Sequence, residues 1–64
     1  MHIIIKNDLT EVAIEISEEK LPDIEDQLRS CLVGNFTYID FEDTEGNKHF
    51  FTLEYLKKSH VRII

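Results

Sequence analysis

One cysteine in 64 residues means that no covalent bond can close this fold from within. A chain of this length buries only about 60% of the surface it exposes when unfolded, so domains this small usually lean on a disulfide, a metal or a partner chain. Cys31 has no second thiol in the chain. A lone thiol fits a reducing compartment, and the expected location is the cytoplasm. The apolar run after Met1 is too short to span a bilayer, and no basic segment precedes it. Neither a signal peptide nor a membrane helix is expected.

At 42% hydrophobic and 31% charged, the chain has the composition of a globular protein rather than a disordered one. No repeat, linker or low-complexity stretch divides it, so residues 1–64 form a single domain. Its net charge of −6 disfavours nonspecific attraction to nucleic acid or anionic lipid. The charge is unevenly spread. Asp8, Glu11, Glu15, Glu18, Glu19, Asp23, Glu25 and Asp26 load the first part, whereas Glu54 is the only acid after Gly46, against Lys48, Lys57, Lys58 and Arg62.

Two β-rich runs open the chain, His2–Lys6 and Glu11–Ile16, with Asn7-Asp8 as a turn signal between them. Val12, Ile14 and Ile16 alternate with Glu11, Ala13 and Glu15. A four-residue loop, Asn7 to Thr10, pairs Lys6 with Glu11, Ile5 with Val12 and Ile3 with Ile14. That register sets apolar against apolar and base against acid, each pair contributing roughly 0.2–1 kcal/mol. A two-residue loop would place Ile4 against Glu11 and is the poorer choice.

Ser17–Lys20 is a polar connection, and Pro22 suits the first turn of a helix. Asp23, Glu25 and Asp26 lie where the helix dipole favours negative charge. Leu21, Ile24, Leu28, Cys31 and Leu32 recur at three- and four-residue spacing as one apolar stripe. Gly34 is placed to end the helix in the left-handed conformation.

Phe36–Glu42 and Lys48–Glu54 then read as a hairpin with a type I turn over Thr44-Glu45 and Gly46 in the left-handed region. It pairs Glu42 with Lys48, Ile39 with Phe51 and Tyr38 with Thr52. One face carries Thr37, Ile39, Phe41, His49, Phe51 and Leu53, and is expected to meet the core. The other carries Phe36, Tyr38, Asp40, Phe50, Thr52 and Glu54. Tyr55–Ser59 is a short connection with room for one helical turn, and His60–Ile64 is a last strand. The expected fold is α+β with the order ββαβββ, one helix packed on an antiparallel or mixed sheet. A small SH3-like barrel with an inserted helix is the alternative. The expected core includes Ile14, Ile24, Leu28, Ile39, Phe51 and Leu53.

Motifs for chemistry are missing. Zinc needs about four ligands at close spacing, and His2, Cys31, His49 and His60 are scattered along the chain. The acidic run from Asp40 to Gly46 fails the calcium-loop pattern, because the sixth and twelfth positions hold Glu45 and Phe51. Ser59 and His60 are neighbours in an extended stretch, so they point to opposite faces. No glycine-rich phosphate loop exists. No enzyme activity and no cofactor are expected.

What is left is binding. The leading expectation is a small acidic regulator or inhibitor that docks Glu11, Glu15, Glu19, Asp23 and Asp26 on a basic surface of a protein partner, in the manner of a nucleic-acid mimic. The second is a self-assembling subunit, a homodimer joined through Phe36, Tyr38 and Phe50. The third is weak nucleic-acid binding by Lys57, Lys58, His60 and Arg62, against which the net charge argues.

Overall fold

Isoleucines at alternate positions of the first two strands floor the core. In the computed structural model, which describes residues 1–64, these strands are β1 (His2–Lys6) and β2 (Glu11–Glu15). A 3-10 turn at Glu18–Lys20 leads into α1 (Leu21–Leu32), followed by β3 (Tyr38–Glu42), β4 (Lys48–Thr52), α2 (Leu53–Lys57) and β5 (His60–Ile63). β1 and β2 pair antiparallel with Lys6 opposite Glu11, Ile5 opposite Val12 and Ile3 opposite Ile14, the expected register. The loop holds that register because Asn7 Oδ1 accepts from the Leu9 and Thr10 N–H groups, while Asn7 N–H bonds the Thr10 carbonyl.

The α+β order is the expected one, with a division that the strand patterns did not convey. The five strands make two sheets, β2-β1-β5 and β3-β4, and every pairing is antiparallel. The mixed sheet is therefore not formed, and the sheets do not close into an SH3-like barrel. β5 lies on the free edge of β1, with Ile5 opposite Val61 and Ile3 opposite Ile63. This places the Ile-rich strand in the centre, where both its edges are bonded.

α1 begins with Pro22 in its first turn and ends in a Schellman arrangement. Gly34 has φ +93°, its N–H bonds the Cys31 carbonyl, and Asn35 N–H bonds the Ser30 carbonyl. Ile24, Leu28 and Cys31 are buried, and Leu21 packs against them from the rim. Leu32 is 53% exposed, contrary to the five-residue stripe. At about 100° per residue it lies about 80° from Ile24 around the axis, outside the buried arc.

The second hairpin keeps its expected register, with Glu42 opposite Lys48 and Ile39 opposite Phe51. Gly46 has φ +86°, and its N–H bonds the Asp43 carbonyl to close the type I turn. Both strands are shorter than expected. Leu53 and Glu54 belong to α2, because Thr52 leaves the extended conformation as a helix cap and its hydroxyl accepts from Tyr55 N–H at 3.2 Å.

One core joins the sheets: Ile3, Ile5, Ile14, Ile16, Ile24, Leu28, Cys31, Ile39, Phe41 and Leu56. Phe51 and Leu53, expected inside, are only half-buried and pack against its edge. Leu56 fills the inner place instead, since the early start of α2 turns it inward. Phe51 lies between Phe41 and Tyr55, with ring centroids 5.9 and 5.8 Å away.

A domain of this size is stable by only about 3–10 kcal/mol, so one core truncation is felt. Leu56→Ala is expected to cost about 2–5 kcal/mol in urea unfolding, and Phe51→Ala clearly less. Equal losses would mean that Phe51 is as central as Leu56. Gly46→Val is expected to cost at least about 1 kcal/mol, although nothing lies within 4 Å of the added Cβ. The cost is backbone strain alone, and an unchanged melting temperature would show that the loop relaxes without it.

Candidate interaction surfaces

Strand alternation and helix geometry distribute the carboxylates over two sides. Glu11 and Glu15 sit on the face of the first sheet that points away from the core, since Val12, Ile14 and Ile16 point toward it. Neither is isolated there. Glu11 is opposite Lys6, and Glu15 lies 3.7 Å from His2 Nε2 and accepts from the Thr44 hydroxyl at 2.8 Å. Glu19, Asp23 and Asp26 are exposed along the 3-10 turn and the outer side of α1. Asp23 and Asp26 are about 60° apart around the helix axis. The five acids singled out in the sequence are therefore split: Glu19, Asp23 and Asp26 form one flank, and Glu11 and Glu15 line a different face.

The flank on α1 has no cation within ion-pair distance. The two bases of this stretch are engaged elsewhere, Lys20 with Glu42 at 3.6 Å and Arg29 with Glu25 at 3.0 Å. These exposed pairs contribute little to stability, at about 0–1 kcal/mol each. Their effect here is on the field: with both bases paired elsewhere, no side-chain cation is paired with Asp23 or Asp26.

The aromatic residues do share a surface. Phe36, Tyr38 and Phe50 are 50%, 53% and 64% exposed. Tyr38 and Phe50 lie on the outer face of the second sheet with ring centroids 6.3 Å apart. Lys48 and Asp40 pair on the same face at 3.5 Å. Phe36 precedes β3, and its carbonyl accepts from the Cys31 thiol at 3.5 Å. Leu32 and Val33, at the end of α1, are exposed as well. The bases of the C-terminal part do not form one cluster. Lys57 lines a groove with Tyr38 and Phe50, Lys58 lines another with Asp8 and Leu9, and His60 and Arg62 project from the outer face of the first sheet.

No family model, no curated protein and no solved structure matches this chain.

No three His, Cys, Asp or Glu side chains come together as a metal-ligand set. Cys31 is fully buried on α1. The Ser59 hydroxyl donates to the Tyr55 carbonyl at 2.7 Å and accepts from Asn7 Nδ2, which leaves His60 without it. Beside them, Tyr55 and Thr10 join hydroxyls at 2.7 Å and tie α2 to the first hairpin.

One polar centre escaped the sequence reading. Asp43 opens the second hairpin loop, and its Oδ1 accepts from Glu45 and Asn47 N–H groups. Its Oδ2 lies 2.9 Å from His49 Nε2. The signal was an Asp at the start of a turn with a His six residues later, obscured because alternation assigns His49 to the inward face. The His49 bond first, and then the two backbone N–H groups against some desolvation, lower the Asp43 pKa from 3.8 to about 2.

A carboxyl depressed in the folded state stabilises the fold fully above its unfolded pKa, and the contribution is lost as pH falls from 3.8 to about 2. Wild-type melting temperature is expected to drop through this window more steeply than that of Asp43→Asn. Parallel melting curves against pH would show that Asp43 does not carry the acid sensitivity.

Proposed function

We propose that this protein is a small non-enzymatic interaction module, a regulator or inhibitor that docks its acidic flank on a basic surface of a protein partner. The observation that carries this reading is the exposed group of Glu19, Asp23 and Asp26, without an ion-pair partner beside bases already held by Glu42 and Glu25. Such a flank steers a cationic partner during approach and makes association salt-sensitive, since charges in solution act over about 8 Å at physiological ionic strength. A helix presenting carboxylates in a row offers a basic groove the kind of charge that a nucleic-acid backbone offers it. Glu11 and Glu15 extend the acidity of the molecule as a whole but not this docking row, because Lys6 and His2 stand beside them.

The reading places the protein in a reducing compartment such as the cytoplasm, where a lone buried thiol persists. No helix is long and apolar enough to cross a membrane. Direct binding of nucleic acid draws less support, because Lys57, Lys58, His60 and Arg62 point to separate surfaces. The exposed aromatic face favours a second reading, association with another copy.

Replacing Glu19, Asp23 and Asp26 together with Lys, with folding checked by circular dichroism, is expected to weaken capture of the partner by about tenfold or more at low salt. The wild-type interaction should lose affinity as salt rises, and the triple variant should show no such dependence. Unchanged recovery of the same partners by wild type and variant would remove the acidic flank from the docking surface.

A further inference from the structure

Four strand edges lie at the borders of the two sheets, and they differ in what they offer another strand. β3 is closed at its midpoint. The Gln27 side-chain amide donates to the Asp40 carbonyl at 3.0 Å and accepts from Asp40 N–H at 3.2 Å, much as a neighbouring strand would. β2 carries Glu11 and Glu15 with its edge carbonyl at Glu15 already bonded by Thr44 N–H. β5 carries His60 and Arg62. Antiparallel self-pairing of β2 about Ala13 sets Glu11 against Glu15 of the second copy, and self-pairing of β5 about Arg62 sets that base against its own copy. Like charges directly opposite destabilise a pair.

β4 is different. Asp43 N–H bonds the Asn47 carbonyl and Leu53 N–H bonds the Thr37 carbonyl at the two ends of the β3–β4 ladder. Bonded pairs therefore fall on odd-numbered residues, and Lys48, Phe50 and Thr52 turn their N–H groups outward. No hydrogen bond from another segment reaches the Phe50 backbone. The strand starts with a base and is followed by an acid, Glu54. Its centre is the 64% exposed Phe50, and the one Lys on the strand, Lys48, is already paired with Asp40 at 3.5 Å.

We propose that β4 is a self-pairing edge, on which a second copy of this chain adds its own β4 antiparallel about a two-fold axis at Phe50. The two sheets then continue as one of four strands, β3-β4-β4-β3. Lys48 lies opposite Thr52 of the second copy, where that copy's α2 begins and carries Glu54 in its first turn beside the Tyr38 and Phe50 groove, and symmetry repeats this contact. The two Phe50 rings become direct cross-strand neighbours, with Tyr38 flanking each. Tyr38 and Phe50 together expose about 200–300 Å² per copy. A stable complex buries about 800 Å² per partner, so this pair is weak and forms only at high concentration. The acidic flank of α1 is not part of the contact, and a dimer presents that flank twice.

Sedimentation equilibrium of the purified chain from about 10 μM to about 1 mM tests this, because the range brackets weak association. The average mass is expected to rise from monomer toward dimer, with slower amide exchange at Phe50 as concentration increases. Phe50→Glu should leave the melting temperature near wild type and abolish the rise. Glu54→Lys, which leaves the contacts of Lys48 with Asp40 and Glu42 intact, should weaken association. A wild-type monomer throughout the range overturns the proposal. So does a dimer that survives Phe50→Glu, or one that Glu54→Lys leaves equally tight, since either would mean another contact joins the copies.

Discussion

The two sheets share no strand ladder, so their association rests on side chains that α1 and α2 bury between them. Ile24, Leu28 and Cys31 share one buried cluster with the isoleucines of the first sheet and with Ile39 and Phe41 of the second, and Leu56 completes the set. Area removed from water is worth roughly 25 cal/mol per Å², and without a disulfide this burial is what holds one sheet to the other. Two polar contacts fix the relative placement. Gln27 grips the backbone of Asp40, and Thr44 bonds the carbonyl and the carboxylate of Glu15. Both tie the second hairpin to a neighbour through groups that would otherwise lie unpaired at an edge.

Local chemistry was legible in the sequence almost residue by residue. Both hairpin registers, both positive-φ glycines and the span of α1 follow from alternation, turn residues and capping, which act over a few positions. The division into two sheets was not legible. Whether β5 extends the second hairpin or lies on β1 depends on packing between distant segments, and period-two patterns are the same in either case. The end of β4 was misplaced for a related reason. Leu53 and Glu54 continue an alternating pattern, but Thr52 can cap a helix as readily as it can sit in a strand.

The surfaces were half legible. Exposure of Phe36, Tyr38 and Phe50 followed from their alternation with Asp40 and Glu54. The acidic residues were correctly expected outside the core, but a linear reading joined Glu11 and Glu15 to the helix acids. The first sheet turns them away from α1, and Lys6 and His2 then stand beside them. Asp43 was read only as part of a loop, although both its oxygens are engaged in holding that loop together.

The place of β1 has a consequence for synthesis. One edge of this strand is covered by β2, which follows it at once, but the other waits for β5, paired from Lys6 with His60 to Ile3 with Ile63. At about 5–20 residues per second, a ribosome needs about 3–11 s to travel between those two strands. During that interval Ile3, Ile4 and Ile5 stand with one row of backbone groups bare, in a segment suited to pairing with any passing strand. Native structure in the three-stranded sheet is therefore completed only when its last strand emerges. A nascent chain stalled before that point exposes its most apolar strand on the edge that the finished protein conceals.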